Sequence, residues 1–308
     1  MIETRSVRVD YKDVVAVRDL TLKIPGGEIF GLIGPNGAGK SSTIRVLATL
    51  QEPTHGDVRI DGIDITENIA AARHIIGYMP DLAPVYDDLR CWEFLDLFAA
   101  AYGIPASRRP SRIADCLDQV DLGSKRNARA GTLSRGMKQR LVLAKTVITE
   151  PRVLLLDEPA SGLDPIARIE LRDLLRRQAA MGRTILISSH ILTELAEFCT
   201  SVGIMQKGEL LASGPPATIA AKFQTGRTLT LELLEPHAPA ESLLAAACAG
   251  APPTRDGTRF TAPFAGDDRE AADLLRAVVA AGASVRAFHI DDSNLEDIML
   301  RMGAREVS

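Results

Sequence analysis

The chain has 308 residues, with 36 Lys and Arg against 40 Asp and Glu, for a formal net charge of −4. That length is generous for one domain and comfortable for two. The mild acidity, with no long basic run, gives no electrostatic reason to expect nucleic acid or an anionic membrane surface as partner. Cys91, Cys116, Cys199 and Cys248 lie far apart and form no CxxC pair, which points to buried free thiols in a reducing compartment.

The opening stretch "MIETRSVRVDYKD" has no apolar core and so is no signal peptide. "SVRVDY" and "VVAVRDLTLKI" alternate apolar and polar residues as strands joined by a turn, and "EIFGLIG" reads as a buried strand entering a glycine-rich turn. Across residues 91–149 strand character gives way to apolar residues at three- and four-residue spacing, which predicts a mainly helical lobe inserted in an α/β body. Its aromatic face (Trp92, Phe94, Leu95, Phe98), beside the segment 81–89, is either ordinary core or a docking surface. "RVLLLD" and "TILISS" are continuous apolar runs of the kind found in the covered centre of a parallel sheet. From Arg227 the pattern reads strand, helix, strand, helix, strand, helix, ending in "NLEDIMLRMG", with "AGAPPTRDG" as a turn. No apolar run approaches the roughly 20 residues that span a bilayer. A role at a membrane would therefore need another chain to supply the span.

The stretch "GPNGAGKSS", residues 34–42, fits G-x-x-x-x-G-K-[ST]. Gly34, Gly37 and Gly39 let successive amides turn inward around an anion, and a helix opening near Lys40 adds its positive end. Lys40 can reach β- and γ-phosphates and the Ser41 hydroxyl can meet Mg²⁺. Asn36 and Ser42 belong to the same loop and count as nucleotide-binding candidates. An acidic pair after a strand is commonly a helix cap or a solvated turn. Behind this loop, however, Asp157 in "VLLLDEP" becomes a metal-associated carboxylate and Glu158 the candidate base for water attacking the γ-phosphate. His190, in "ISSH", ends the next strand at the same sheet edge. Its imidazole can hydrogen-bond the γ-phosphate or the attacking water.

In order along the chain, this loop, "LSRGM" at 133–137, "VLLLDEP", "SGLD" at 161–164 and "ISSH" resemble the ATP-binding cassette (ABC) family over nearly all of residues 1–223. The resemblance implies an α/β fold: a P-loop NTPase cassette over 1–223 with its helical lobe at about 91–149, followed by a small α+β accessory domain over 224–308. It implies ATP and Mg²⁺ as cofactors. It also implies a second cassette, an identical copy in the simplest case, facing the first head to tail. Ser134 and Gly136 of "LSRGM" then complete the partner's phosphate loop, Tyr11 stacks on adenine, and Asp164 communicates between the paired sites. A separate integral membrane permease is the implied partner, with the chain peripheral on the cytoplasmic face of the membrane and no nucleic acid expected. A soluble cassette ATPase acting on a non-transport partner is the alternative.

Two positions depart from the family pattern. The signature commonly reads L-S-G-G-Q, whereas Arg135 and Met137 stand here; the guanidinium either adds a phosphate contact or faces solvent. Asp81 replaces the glutamine expected after "IGYMP". A carboxylate there can meet Mg²⁺ but cannot donate an amide hydrogen bond to water. The finer resemblance, of "IGYMPDLAPVYDDLRCWEFLDLFAAAYG" and of the tail "NLEDIMLRMG", is to cassettes of multidrug, antibiotic-resistance and polysaccharide exporters, which carry a small C-terminal regulatory or accessory domain.

Overall fold

The alternating N-terminal residues form a hairpin of β1 (Ile2–Tyr11) and β2 (Val14–Ile24). The computed structural model describes residues 1–223, 227–248 and 253–292, and the chain divides into two compact units, Met1–Ile219 and Ala220–Ser308. The first hairpin continues into β4 (His55–Ile60) and β5 (Ile63–Asp64) as an antiparallel region. Next to it lies a mostly parallel region. It comprises β3 (Ile29–Ile33), β6 (Ile76–Met79), β7 (Val153–Leu156), β8 (Thr184–Ser189), β9 (Ser201–Gln206) and β10 (Glu209–Gly214). A parallel contact of β10 with β2 joins them into one ten-stranded sheet, ordered β5-β4-β1-β2-β10-β9-β3-β8-β7-β6.

The central strands are buried end to end, as their unbroken apolar runs require: every residue of β3, β7 and β8 is buried. Strands β4, β5, β9 and β10 escape pattern reading because they are short or carry Gly and charged residues that break the alternation. Helices α1 (Lys40–Leu47) and α2 (Ile69–Ile75) follow the phosphate loop and β5. Residues 91–149 are helical, with α3 (Cys91–Ala101), α4 (Arg109–Gln119) and α5 (Arg135–Thr146) packed on one another. Helix α6 (Pro165–Ala180) starts on an Asp164 cap with Pro at its first position, where a missing N–H costs nothing. The short α7 (Leu192–Ala196) and α8 (Pro216–Phe223) complete this stretch.

The aromatic face of α3 is divided between core and surface, so neither alternative describes all of it. Phe94 and Leu95 are wholly buried, and Phe94 stacks edge-on against Phe98 at 5.0 Å. They are core because, with Cys91 and Ala99 three to five residues away, they make up the one stripe of the helix that turns inward. The exposed apolar residues nearby are Leu82, Tyr86 and Leu97.

In the second unit the elements run β11 (Arg227–Leu233), α9 (Ala238–Ala247), β12 (Thr254–Asp256), β13 (Arg259–Phe264), α10 (Asp268–Ala280) and β14 (Val285–Asp292). The expected strand–helix alternation is thus corrected by one extra strand. Gly257, at φ 60°, makes the tight turn that folds β12 onto β13, so "TRD" is strand and not turn. The sheet order β12-β13-β11-β14 is the split β-α-β arrangement, with Leu229, Leu231, Phe260 and Phe264 packed against Ala240, Leu244, Leu274 and Val278 of the helices. "NLEDIMLRMG" lies outside the described residues. All four cysteines are buried free thiols; burial pushes Cys116 up to about 11 and Cys199 up to about 12.

Candidate functional site

The parallel register aligns the carboxyl ends of four strands. Leu32 lies opposite Ser188, Leu156 opposite Ile187, and Met79 opposite Leu156. Each strand therefore releases its next residues at one edge, where open α/β sheets bind ligands. β3 runs into the phosphate loop, β7 into Asp157 and Glu158, β8 into His190, and β6 precedes Asp81.

The loop is shaped by what its glycines lack. A Cβ on Gly34 would lie 2.3 Å from the Met205 carbonyl oxygen, and one on Gly39 would lie 2.4 Å from that of Ala16. Gly39 also sits at φ 99°, in the left-handed region, directly before α1. Lys40 folds back over this loop, donating from Nζ to the Gly34 carbonyl at 2.7 Å and the Pro35 carbonyl at 3.1 Å. Burial pushes its ammonium below the ordinary lysine value, and the nearby Glu158 charge opposes that shift. Asn36 and Gly37 are exposed at the tip, with Ser42 half-buried behind them.

Two carboxylates face the cradle. Asp157 Oδ1 accepts from Ser41 Oγ at 3.0 Å and from Ser188 Oγ at 2.7 Å. Glu158 Oε1 lies 3.5 Å from Lys40 Nζ, while Oε2 is 2.8 Å from His190 Nδ1. Glu158 holds φ 45°, a conformation uncommon for any residue but Gly, which persists only where surroundings enforce it. Its amide donates to Ser188 Oγ at 2.9 Å. The Asp157 amide donates to the Met79 carbonyl at 2.9 Å, which brings the turn carrying Asp81 beside the pair. Partial burial, then the Glu158 and Asp157 charges, holds the Asp81 carboxyl above the ordinary carboxylate range, against the opposing charges of Arg135 and His190.

Lys40, Ser41, Asp157, Glu158 and His190 thus meet, with Asp81 alongside. Ser41 Oγ and Asp157 are hard oxygen donors, and no hydrogen bond among the described residues engages Asp157 Oδ2. No group of three or more His, Cys, Asp or Glu among the described residues could hold a metal. That donor set fits Mg²⁺, which keeps waters and takes one or two protein ligands plus substrate phosphates.

The other candidates stand apart. Tyr11 is exposed at the end of the first hairpin, its hydroxyl donating to Gln51. Ser134 caps α5, accepting from the Met137 amide at 3.3 Å, and Asp164 caps α6, accepting from Ala167 at 2.9 Å. A Cβ on Gly136 would meet Ala167 Cβ at 2.8 Å, so this glycine lets the starts of α5 and α6 close together. Among the described residues no hydrogen bond or ion pair joins Ser134 or Gly136 to residues 34–42.

Arg135 is exposed, and it also makes a contact within the chain that its spacing did not show. Its Nη2 donates to the Ser161 carbonyl at 3.0 Å, and the guanidinium covers the face of Gly162, where a Cβ would lie 2.3 Å away. It straps the start of α5 to "SGLD" within one chain. Sequence reading also passes over Ser188. The signal was present in "ISSH", a hydroxyl in an apolar strand, but its partner is set by register with β7.

The ABC transporter family model matches residues 17–161. Nod factor export ATP-binding protein I of Paraburkholderia xenovorans is 32% identical over 306 residues, covering 99% of this chain and 98% of that protein. The probable multidrug ABC transporter ATP-binding protein YbhF of Escherichia coli is 40% identical over 225 residues, 73% of this chain and 38% of that longer one. Among solved structures, an ATP binding subunit of an ABC transporter superposes with a TM-score of 0.64 at 32% identity, covering 72% of this chain and 93% of that one. The dimeric structure of MJ0796, a bacterial ABC transporter cassette, gives a TM-score of 0.63 at 25% identity over 70% of this chain and 99% of its own. The chain therefore belongs to the ATP-binding subunits of ABC transporters, a family of ATPases.

Proposed function

We propose that this ATPase subunit drives an export permease, a separate membrane chain, through ATP-dependent pairing of two cassettes. One observation carries the chemistry: Glu158 is held between Lys40 and His190 at the mouth of the phosphate cradle. In this reading the amides of residues 34–42 and Lys40 grip the phosphates, Lys40 exchanging its loop carbonyls for phosphate oxygens. Mg²⁺ supplies charge neutralisation at the β- and γ-phosphates when bound, with Ser41, Asp157 and Asp81 as the residues that would hold it or its waters. Glu158 orients and deprotonates the attacking water, and His190 fixes the Glu158 carboxylate and reaches the γ-phosphate.

Tyr11 would stack on adenine once its hydroxyl leaves Gln51. Ser134 and Gly136, which make no hydrogen bond to their own cradle, would serve that of a second copy across the interface, with Asp164 beside it. The N-terminus of α5 offers amides to an anion there, and a partner of this kind is supported by the dimeric cassette among the similar structures. Export is supported by the relatives named for Nod factor and multidrug export. Residues 1–223 would then act as the cassette and 224–308 as an accessory domain. No helix among the described residues is long and apolar enough to cross a membrane, so the chain would sit on the cytoplasmic face, held by its permease. Exposed Leu82 and Tyr86, next to Asp87 paired with Lys138, suit that contact.

Light scattering tests the composite site. The Glu158→Gln chain should be dimeric with ATP and monomeric with ADP; a monomer under both conditions refutes the head-to-tail site. Crosslinks from Asp88 to a co-purified membrane subunit test the docking surface, and crosslinks confined to residues 224–308 would contradict it.

A further inference from the structure

Ser188 is the second-to-last residue of β8 and is wholly buried. Its single hydroxyl proton goes to Asp157 Oδ1 at 2.7 Å, and its oxygen accepts the Glu158 amide at 2.9 Å. One side chain thus ties together two consecutive residues with different tasks. The cause is register: Leu156 pairs with Ile187, so the next residues of the two strands emerge side by side.

Ser41 donates to the same Asp157 oxygen at 3.0 Å, but the two donors differ in what else they can do. Ser41 lies on the phosphate loop, and a metal–nucleotide complex would recruit its oxygen, ending that donation. Ser188 has no such alternative, since both of its bonds run to the protein and it is closed off from solvent. It would therefore stay on Oδ1 with or without nucleotide, leaving Oδ2 available to a bound metal. On its other side it pins the Glu158 backbone at φ 45°, the conformation that aims this carboxylate between Lys40 and His190. Without the hydroxyl, a strained backbone loses the bond that holds it.

We infer that Ser188 is a positioning residue that fixes the metal-associated carboxylate and the catalytic base in one unit, acting through Asp157 and Glu158 without touching ATP. The inference rests on the roles proposed above for those two residues. Partners that orient a metal-associated carboxylate typically cost about 10- to 100-fold in metal affinity or activity when removed.

The test uses Ser188→Ala and Ser188→Thr, each alone and combined with Glu158→Gln. With hydrolysis blocked by Glu158→Gln and ATP bound, Mn²⁺ affinity is read by electron paramagnetic resonance; ATP affinity without metal is read by equilibrium dialysis. Ser188→Ala should weaken Mn²⁺ about 10- to 100-fold and leave metal-free ATP binding within about threefold, because the loop amides and Lys40 are untouched. As a single variant it should lose turnover by a similar factor with little change in KM, and Ser188→Thr should recover both. Unchanged Mn²⁺ affinity in Ser188→Ala overturns the inference. So does an equal loss of metal-free ATP binding in both variants, which would mark the hydroxyl as part of the fold alone. If Glu158→Gln by itself retains turnover, the base assignment fails, while the Mn²⁺ measurement, made then with a non-hydrolysable ATP analogue, still decides the role of Ser188 toward Asp157.

Discussion

Replacing Glu158 by Gln separates binding from hydrolysis, and the structure sets the size of each effect. The substitution keeps the length and hydrogen-bonding shape of the side chain but removes its charge and its ability to take a proton. Loss of a positioned general base costs about 10²- to 10⁴-fold in rate, or about 3–5 kcal/mol of barrier. The effect on ATP binding has the opposite sign. Lys40 lies 3.5 Å from Glu158 Oε1, and at an effective dielectric near 20 such a pair attracts with about 5 kcal/mol before desolvation. That attraction competes with phosphate for the ammonium, so its removal should leave ATP affinity equal or higher. Phosphate release at saturating Mg-ATP, with ATP binding measured in parallel, should show turnover reduced at least a hundredfold and binding retained. A loss smaller than about tenfold, or a loss that follows weakened ATP binding, refutes the assignment. An inactive Asp81→Gln chain beside an active Glu158→Gln chain would move the base to Asp81.

Asp81 carries a pH prediction. Its folded-state carboxyl is raised by burial and by Glu158 and Asp157, so the native state holds that proton more tightly than the unfolded chain does. Ionisation therefore costs stability, a cost absent below the ordinary carboxylate range and complete above the raised value. Thermal melts of the nucleotide-free protein should show Asp81→Asn more stable than the parent at pH 7, by a small margin because solvent screens this exposed group. The margin should shrink as pH falls toward 4; a margin that grows on acidification would contradict the electrostatic account. Gly39→Ala places a Cβ 2.4 Å from the Ala16 carbonyl oxygen at φ 99°. It should cost about 1–3 kcal/mol from backbone strain alone and abolish ATP binding; a melt and ATP affinity like the parent's would show that the loop does not need this glycine.

The phosphate loop was legible because its information is local. Three glycines, a lysine and a serine at fixed spacing specify a turn whose amides converge, whatever surrounds it. The buried strands were legible for the same reason: unbroken apolar runs such as "VLLL" and "TILISS" have no stable place except a covered sheet. Even the acidic pair could be placed beside the loop, since a strand end leaves little choice of direction. Tertiary structure decided what depends on register and on which helix face turns inward. Ser188 belongs to the site only because Leu156 pairs with Ile187, a juxtaposition that no reading of either strand alone contains. Arg135 is exposed, and that its guanidinium also lies over Gly162 is a contact no spacing along the chain contains. Phe94 and Leu95 were divided from Leu97 by the rotation of α3 on its neighbours. Spacing along the chain fixes which residues can share a turn or a strand. Which distant side chains then touch is set by packing, where a shift of one register position would exchange the hydroxyl of Ser188 for the apolar side chain of Ile187.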